Sequence, residues 1–185
     1  MSELIYIALI NKVKLPHLDR FSTDLRRCIH YDFNTINLSL NLKEFYSRDR
    51  NQYNSTLLLA TVLKNIPEDA DKIIGITDVD IFIPILTFLF GEAQLNGRAA
   101  LVSTFRLHNE FYGLPRDDDL LYVRTIKEIS HELGHTLGLV HCPNFECVMN
   151  SSTYVENIDL KKERFCRNCQ KILGIKCAEE QENPS

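Results

Sequence analysis

The sequence lacks a face or stretch crowded with lysine and arginine. It carries 21 Lys and Arg against 25 Asp and Glu, which gives a formal charge of −4 at neutral pH. Proteins that bind nucleic acids or anionic membranes usually present such a basic patch to the phosphates. We therefore expect neither a nucleic acid nor a membrane as a partner.

A secretory leader and a membrane-length apolar run are also missing. The apolar stretch Leu4 to Ile10 has no basic region before it and no small-residue cleavage site after it. The stretch Ile81 to Phe90 is too short for a membrane helix and contains Pro84. We expect a cytoplasmic protein, in which the six cysteines stay reduced and clustered ones bind metal rather than pair.

Internal repeats and low-complexity linkers are absent, and 185 residues with 44% apolar content fit one globular domain. We expect a single domain over 1–185, with a sheet and a long helix in 1–140, a cysteine-rich subregion in 141–177 and a disordered tail in 178–185.

Hydrophobic periodicity predicts alternating strands and helices. The predicted strands are 4–10, 37–45 and 72–83, and the predicted helices are 18–30, a segment from Asn54 to Pro67, one beginning near Asp117, and 162–173. A hairpin is predicted over 86–104, because Asn96-Gly97 is a strong turn signal. This order indicates an α/β (α+β) fold with a mixed, twisted sheet.

Two histidines are spaced to share one ion. In His131-Glu132-Leu133-Gly134-His135 the imidazoles are four residues apart, hence on one helical face. Glu132 lies one step round the helix, beside the ion, where a carboxylate can act as general base toward the attacking water.

A third histidine, His141, completes the set only if the helix ends. An uninterrupted helix would turn His141 roughly 240° away from His135. Gly138 can adopt the left-handed conformation of a helix C-terminus and so turn the chain back. Three neutral imidazoles leave a fourth position open, which is typical of a catalytic zinc.

Four cysteines follow: Cys142, Cys147, Cys166 and Cys169. A C-x-x-C pair together with an earlier pair can close a tetrahedral zinc site, which would then be structural because no position stays open. A redox-active C-x-x-C is the alternative, although no thioredoxin-like βαβ pattern precedes it.

The pattern from His131 to Met149 is the metzincin signature. With Cys142 directly after the third histidine, Cys147 two residues before Met149, and Cys166 and Cys169 beyond, the chain resembles the archaemetzincin family. Arg50 to Tyr53 and Phe90 to Ala93 also resemble that family.

The resemblance implies a metzincin-like (zincin) domain with an active-site helix and a C-terminal segment bound to a second zinc. It also implies that the Met149 thioether packs beneath the histidines. Some metzincins place a tyrosine two residues after this methionine, but here that position is Ser151. Tyr154, five residues after the methionine, could replace that tyrosine near the metal, but the different spacing favours a packing role.

Together these features predict a zinc metallopeptidase that binds two zinc ions, acts on a peptide or protein and is a monomer. The edge strand near Gly91, Glu92 and Ala93 would bind the substrate, and Glu92 could hold a free amine and favour aminopeptidase action. The alternative for Glu92 is an exposed strand residue that has no role in substrate binding. The alternative function is a non-catalytic zinc protein that binds peptides or proteins.

Several other residues are expected to stay outside both metal sites. Cys28 is expected to be a small buried hydrophobe and Cys177 an unligated thiol. Glu128 could orient an imidazole or be a solvated helix residue. No metal-ligand role is expected for His17, His30, His108, Asp78 and Asp80.

Overall fold

A five-stranded mixed sheet lies at the centre of the computed structural model, which describes residues 3–176. The strands in chain order are β1 (Leu4–Ile10), β2 (Asp32–Leu38), β3 (Tyr46–Ser47), β4 (Gln52–Asn54), β5 (Lys72–Thr77), β6 (Ile81–Phe82), β7 (Gly91–Ala93) and β8 (Ala99–Ser103). The sheet order is β2-β1-β5-β8-β7. β2, β1, β5 and β8 run parallel to one another, whereas β7 pairs antiparallel with β8 at the edge. A smaller sheet has the order β3-β4-β6.

Residues 3–176 contain five α-helices: α1 (Phe21–Arg26), α2 (Ser55–Lys64), α3 (Asp118–Thr136), α4 (Val155–Leu160) and α5 (Arg167–Leu173). Within residues 3–176 no helix is long and apolar enough to cross a membrane.

The central strands are buried on both faces because helices cover both. Ile74 and Ile76 of β5 pack with α1 and α3 in one core, whereas Ile73 packs with α2 in the other. A Cβ on Gly75 would lie only 2.8 Å from Val62 of α2, so this strand needs a glycine where the helix approaches. Parallel strands covered on both faces explain the continuous apolar runs of β1, β5 and β8.

The long helix α3 is capped at both ends. The carboxylate of Asp117 accepts a hydrogen bond (2.8 Å) from the backbone N–H of Leu120, as an N-cap residue does. At the other end the backbone N–H of Asn96, in the hairpin turn, donates to the carbonyl of His135 (2.9 Å), and Lys72 Nζ donates to the carbonyl of Thr136 (3.0 Å). The α3 C-terminus is therefore fastened to the β7–β8 hairpin.

The mixed α/β prediction is confirmed, with local corrections. The predicted strand 37–45 is wrong: β2 occupies Asp32–Leu38, and Leu42–Phe45 is a 3₁₀ turn. The predicted helix 18–30 is reduced to a 3₁₀ turn and α1. The predicted strand 72–83 is divided between two sheets. The predicted helix 162–173 is shortened to α5, and α4, which precedes it, was not predicted.

Cys28 is buried as expected, but it is disulfide-bonded. The expectation that all six cysteines stay reduced is therefore wrong for this residue, and the cytoplasmic location stays a prediction. The expectations for Cys177 and for the tail 178–185 lie outside the described residues.

Candidate metal centres and the cleft beside them

The three predicted histidines converge. His131 and His135 lie on the last turns of α3, and His141 comes back from the segment that follows. The ring centroids are 4.7 Å (131 to 135), 5.3 Å (131 to 141) and 5.0 Å (135 to 141) apart. One ring nitrogen from each lies within 4.8 Å of the others, a spacing at which all three can bind one ion.

Hydrogen bonds orient two of the imidazoles. His131 Nδ1 donates to the carbonyl of Val148 (2.7 Å), and His135 Nδ1 donates to the carbonyl of Leu139 (2.8 Å). The Nε2 atoms therefore carry lone pairs, and they face each other at 3.1 Å. Two lone pairs this close repel each other unless a cation lies between them, so the donor set fits a metal ion.

The return of His141 depends on Gly138, whose φ of 95° is in the left-handed region. The N–H of Leu139 donates back to the carbonyl of Gly134 (3.0 Å), and the N–H of Gly138 donates to the carbonyl of His135 (3.0 Å). These bonds close the helix in the way that the sequence predicts.

Glu132 is 5% exposed and lies beside the histidines along the same cleft. Its side chain runs directly under the edge strand: a Cβ on Gly91 would lie 2.6 Å from both Cγ and Oε1 of Glu132. Burial, reinforced by Glu128 and Glu92 and opposed by Lys161, raises the pKa of Glu132 well above its usual value.

The four cysteines form the second cluster. Sγ of Cys142 is 3.8 Å from that of Cys166, and Sγ of Cys147 is 3.8 Å from that of Cys169. Zinc–sulfur bonds of about 2.3 Å place the sulfurs of a tetrahedral site about 3.8 Å apart. The spacing therefore fits a closed four-cysteine metal site, and all four thiols are free.

Thiolate formation is favoured at one of these positions. Burial opposes ionisation of Cys166, but hydrogen bonds from the Cys169 backbone and from neighbouring thiols lower its pKa to about 7. Burial, together with neighbouring thiols at Cys169, raises the pKa values of Cys147 and Cys169. A metal ion that binds the thiolates must therefore displace protons from these two residues.

Met149 is fully buried against α3, next to both clusters. A Cβ on Gly134 would lie 2.4 Å from the Met149 sulfur, so a glycine between the two helical histidines makes room for the thioether. The Met149 carbonyl also accepts a hydrogen bond from the N–H of Cys142 (2.9 Å). This bond links the methionine turn to the start of the cysteine cluster.

A cavity of about 550 Å³ opens beside the histidines. β7 forms one wall, and residues 151–153 form another. Glu92 is half-buried: its carboxylate accepts hydrogen bonds from the hydroxyls of Ser55 and of Thr56 (2.9 Å for the latter). The exposed-strand alternative for Glu92 is therefore wrong, because the side chain joins β7 to the first turn of α2.

The sequence did not predict that Glu128 and Lys161 line this cavity with buried side chains. Glu128 is neither solvated nor hydrogen-bonded to an imidazole; it is 3% exposed and pairs with buried Lys161, with Nζ 3.6 Å from Oε1. Burial raises the pKa of Glu128, and Lys161 opposes this shift. No local pattern around Lys161 announces its burial, because the pairing is purely tertiary.

The other candidates lie outside both metal clusters. Within residues 3–176, His17, His30 and His108 fall outside the histidine and cysteine clusters. Asp80 binds Arg106 through both carboxylate oxygens (2.6 and 2.7 Å). The expected packing of Tyr154 is wrong, because its side chain is 68% exposed at the start of α4.

Comparison with known proteins agrees with these features. Residues 43–174 match the model of peptidase family M54. The archaemetzincin of Methanocaldococcus jannaschii is 48% identical over 128 residues, which are 69% of each chain. The crystal structure of archaemetzincin from Methanopyrus kandleri superposes with a TM-score of 0.81 at 34% identity and covers 94% of both chains. That from Archaeoglobus fulgidus, complexed with malonate, has a TM-score of 0.76 at 34% identity and covers 91% of this chain and 98% of its own.

Proposed function

Because the chain belongs to peptidase family M54, a family of zinc metallopeptidases, we propose that it hydrolyses peptide bonds with Glu132 as the general base. One observation carries this proposal: three imidazoles with converging nitrogens lie beside a buried carboxylate, in a cleft that is bounded by an edge strand.

His131, His135 and His141 would hold the catalytic zinc. When bound, the ion supplies a Lewis acid that polarises the scissile carbonyl and acidifies the attacking water. Glu132 accepts a proton from that water and passes it to the leaving amine.

Two zinc ions per chain complete the proposal. The second would be held by Cys142, Cys147, Cys166 and Cys169, and it would be structural because four thiolates leave no position for water. The 3.8 Å sulfur spacings support this assignment.

The substrate would bind along β7 as an added antiparallel strand. β7 is the last strand of the sheet order, so one side of its backbone has no sheet partner among the described strands. Gly91 places this backbone against Glu132, so a peptide paired there would pass over the catalytic residues.

Aminopeptidase action is a finer version of the same function. Glu92 lines the cavity and carries a carboxylate that could bind a free substrate amine, although Ser55 and Thr56 already donate to it. To test amine recognition, cleavage rates are measured on one peptide series with free N-termini and on the same series with acetylated N-termini. Faster cleavage of the free series supports amine recognition, and equal rates argue against it.

The alternative function is a non-catalytic zinc protein that binds peptides. The retention of Glu132 favours catalysis, because binding alone needs no general base. The test is to digest a broad peptide library with the zinc-loaded chain and to identify new termini by mass spectrometry. We expect cleavage that a chelator abolishes and zinc restores. A fully zinc-loaded chain that cleaves nothing would favour the binding module.

A further inference from the structure

The cavity beside the histidines is lined by three polar residues with buried side-chain atoms, which we call the floor. Glu128 extends from α3, Lys161 follows the end of α4, and Ser152 lies in the wall between Met149 and α4. The side chains of Glu128 and Lys161 are 4% and 1% exposed, and both line the cavity that contains His131 and Glu132.

The floor is held in place by neighbouring cations on α3. Arg124 binds both carboxylate oxygens of Asp159 (2.7 Å each), and Lys127 Nζ donates to the carbonyls of Ile158 (3.0 Å) and Asp159 (3.1 Å). These bonds fasten the last turn of α4 to α3. Lys161 therefore enters the cavity from a fixed backbone and is not a mobile surface side chain.

Despite this rigidity, the floor is short of hydrogen bonds. Within residues 3–176, Glu128 Oε1 and Ser152 Oγ are buried without a hydrogen-bond partner. Lys161 Nζ donates one long hydrogen bond (3.4 Å) to the carbonyl of Val148, and its 3.6 Å approach to Glu128 is longer than a good hydrogen bond. Buried groups of this kind are costly unless something satisfies them, so a matching ligand group gains what the free site lacks.

The charges select the chemistry of that group. A substrate carboxylate would be attracted by Lys161 but repelled by Glu128. A substrate ammonium group would be attracted by Glu128 but repelled by Lys161. A neutral carboxamide avoids both penalties, since its carbonyl accepts from Lys161 or Ser152 while its NH₂ donates to Glu128. Apolar residues of the cavity wall, including Leu86 and Phe88, suit a methylene stem.

We propose that the Glu128–Lys161–Ser152 floor selects a glutamine or asparagine side chain next to the scissile bond. This inference rests on the proposed peptidase function, because it names the substrate of that same cleft. A site built to hydrogen-bond a polar side chain discriminates strongly against analogues that lack the matching groups.

The first measurement is kcat/KM of the zinc-loaded chain on peptides that vary at the two positions flanking the cleaved bond. We expect a preference of at least ten-fold for glutamine or asparagine over glutamate, lysine and methionine at one of these positions. Equal rates, or a preference for a charged or apolar side chain at both positions, would overturn the proposal.

Charge removal tests the floor itself. Glu128→Gln keeps the shape but leaves Lys161 unopposed, so the preference should move from glutamine to glutamate by at least ten-fold. Ser152→Ala should weaken the glutamine preference several-fold, and it serves as the test if Glu128→Gln does not fold. Glu156→Gln removes the same charge from the exposed surface of α4, and it should change nothing. Unchanged selectivity in both floor variants would contradict the assignment.

A binding experiment separates this inference from the peptidase proposal. Peptide hydroxamates that carry glutamine, glutamate or methionine, extended in either chain direction from the metal-binding group, are titrated calorimetrically into the zinc-loaded chain. A glutamine hydroxamate that binds at least ten-fold more tightly supports the floor even if no peptide is cleaved. Equal affinities for the three refute the floor even if peptides are cleaved.

Discussion

His141 and Cys142 are consecutive residues that belong to different clusters, one of imidazoles and one of thiols. Adjacent Cα atoms are about 3.8 Å apart, so a residue held in one cluster restrains its neighbour in the other. The N–H of Cys142 is also bonded to the Met149 carbonyl, beneath the histidine helix. We therefore expect the thiol cluster to orient His141, the one histidine of the three that α3 does not carry.

The first prediction follows from this adjacency. Cys166→Ser should weaken zinc binding at the histidine site by about ten-fold or more, as changes in the supporting shell of a metal do. Circular dichroism should show that α3 persists, while zinc titration measures the affinity. Asn168→Ser alters an exposed residue of the same C-x-x-C turn and should have no effect. Unchanged affinity in a folded Cys166→Ser protein would mean that the sites are independent.

The second prediction concerns Gly91. Its added methyl in Gly91→Ala would meet Glu132 at 2.6 Å, so the general base must move. We expect kcat to fall about 100-fold, the usual effect of an error of about 1 Å in catalytic geometry, with zinc content unchanged. Gly113→Ala adds the same methyl into open space. Its left-handed φ of 74° costs roughly 1–2 kcal/mol of stability, but activity should remain.

Wild-type kcat in the Gly91→Ala protein would show that Glu132 tolerates the displacement. Loss of zinc along with activity would show instead that the edge strand supports the histidines.

The third prediction concerns the number and release of the metal ions. We expect two zinc ions per chain, with a chelator or mild acid removing the histidine-bound ion first because that site is open. Burial lowers the pKa values of His131, His135 and His141. The neutral ligand form therefore persists below the usual value near 6.5, and release should begin only below that pH.

Metal analysis combined with thiol titration follows both steps. Activity should disappear with the first zinc, and the four clustered thiols should become reactive only with the second. A chain that holds one zinc while Cys166 and Cys169 are readily alkylated would contradict the two-site account.

Local signals in the sequence predicted the catalytic part of the site well. The Asp117 cap, the helical spacing of His131 and His135 and the left-handed Gly138 are properties of neighbouring residues, so a single helix and its end express them directly. The Asn96-Gly97 turn likewise predicted the hairpin whose edge strand bounds the cleft.

Tertiary interactions explain what the sequence did not predict. Lys161 is buried because Arg124 and Lys127 fasten α4 to α3, and neither bond has a periodic signature. Glu128 looked like a solvated helix residue for the same reason. The strand β2 was placed too late because its register is set by pairing with β1, not by its own weak alternation.

The most direct test of the account is Glu132→Gln. The substitution removes a general base but no proposed metal ligand, so zinc content measured by atomic absorption should stay near the wild-type value. Hydrolysis of the best library peptide should fall by a factor of about 10² to 10⁴, the usual contribution of general acid–base catalysis. A zinc-loaded Glu132→Gln protein that cleaves this peptide as fast as the parent would contradict the account.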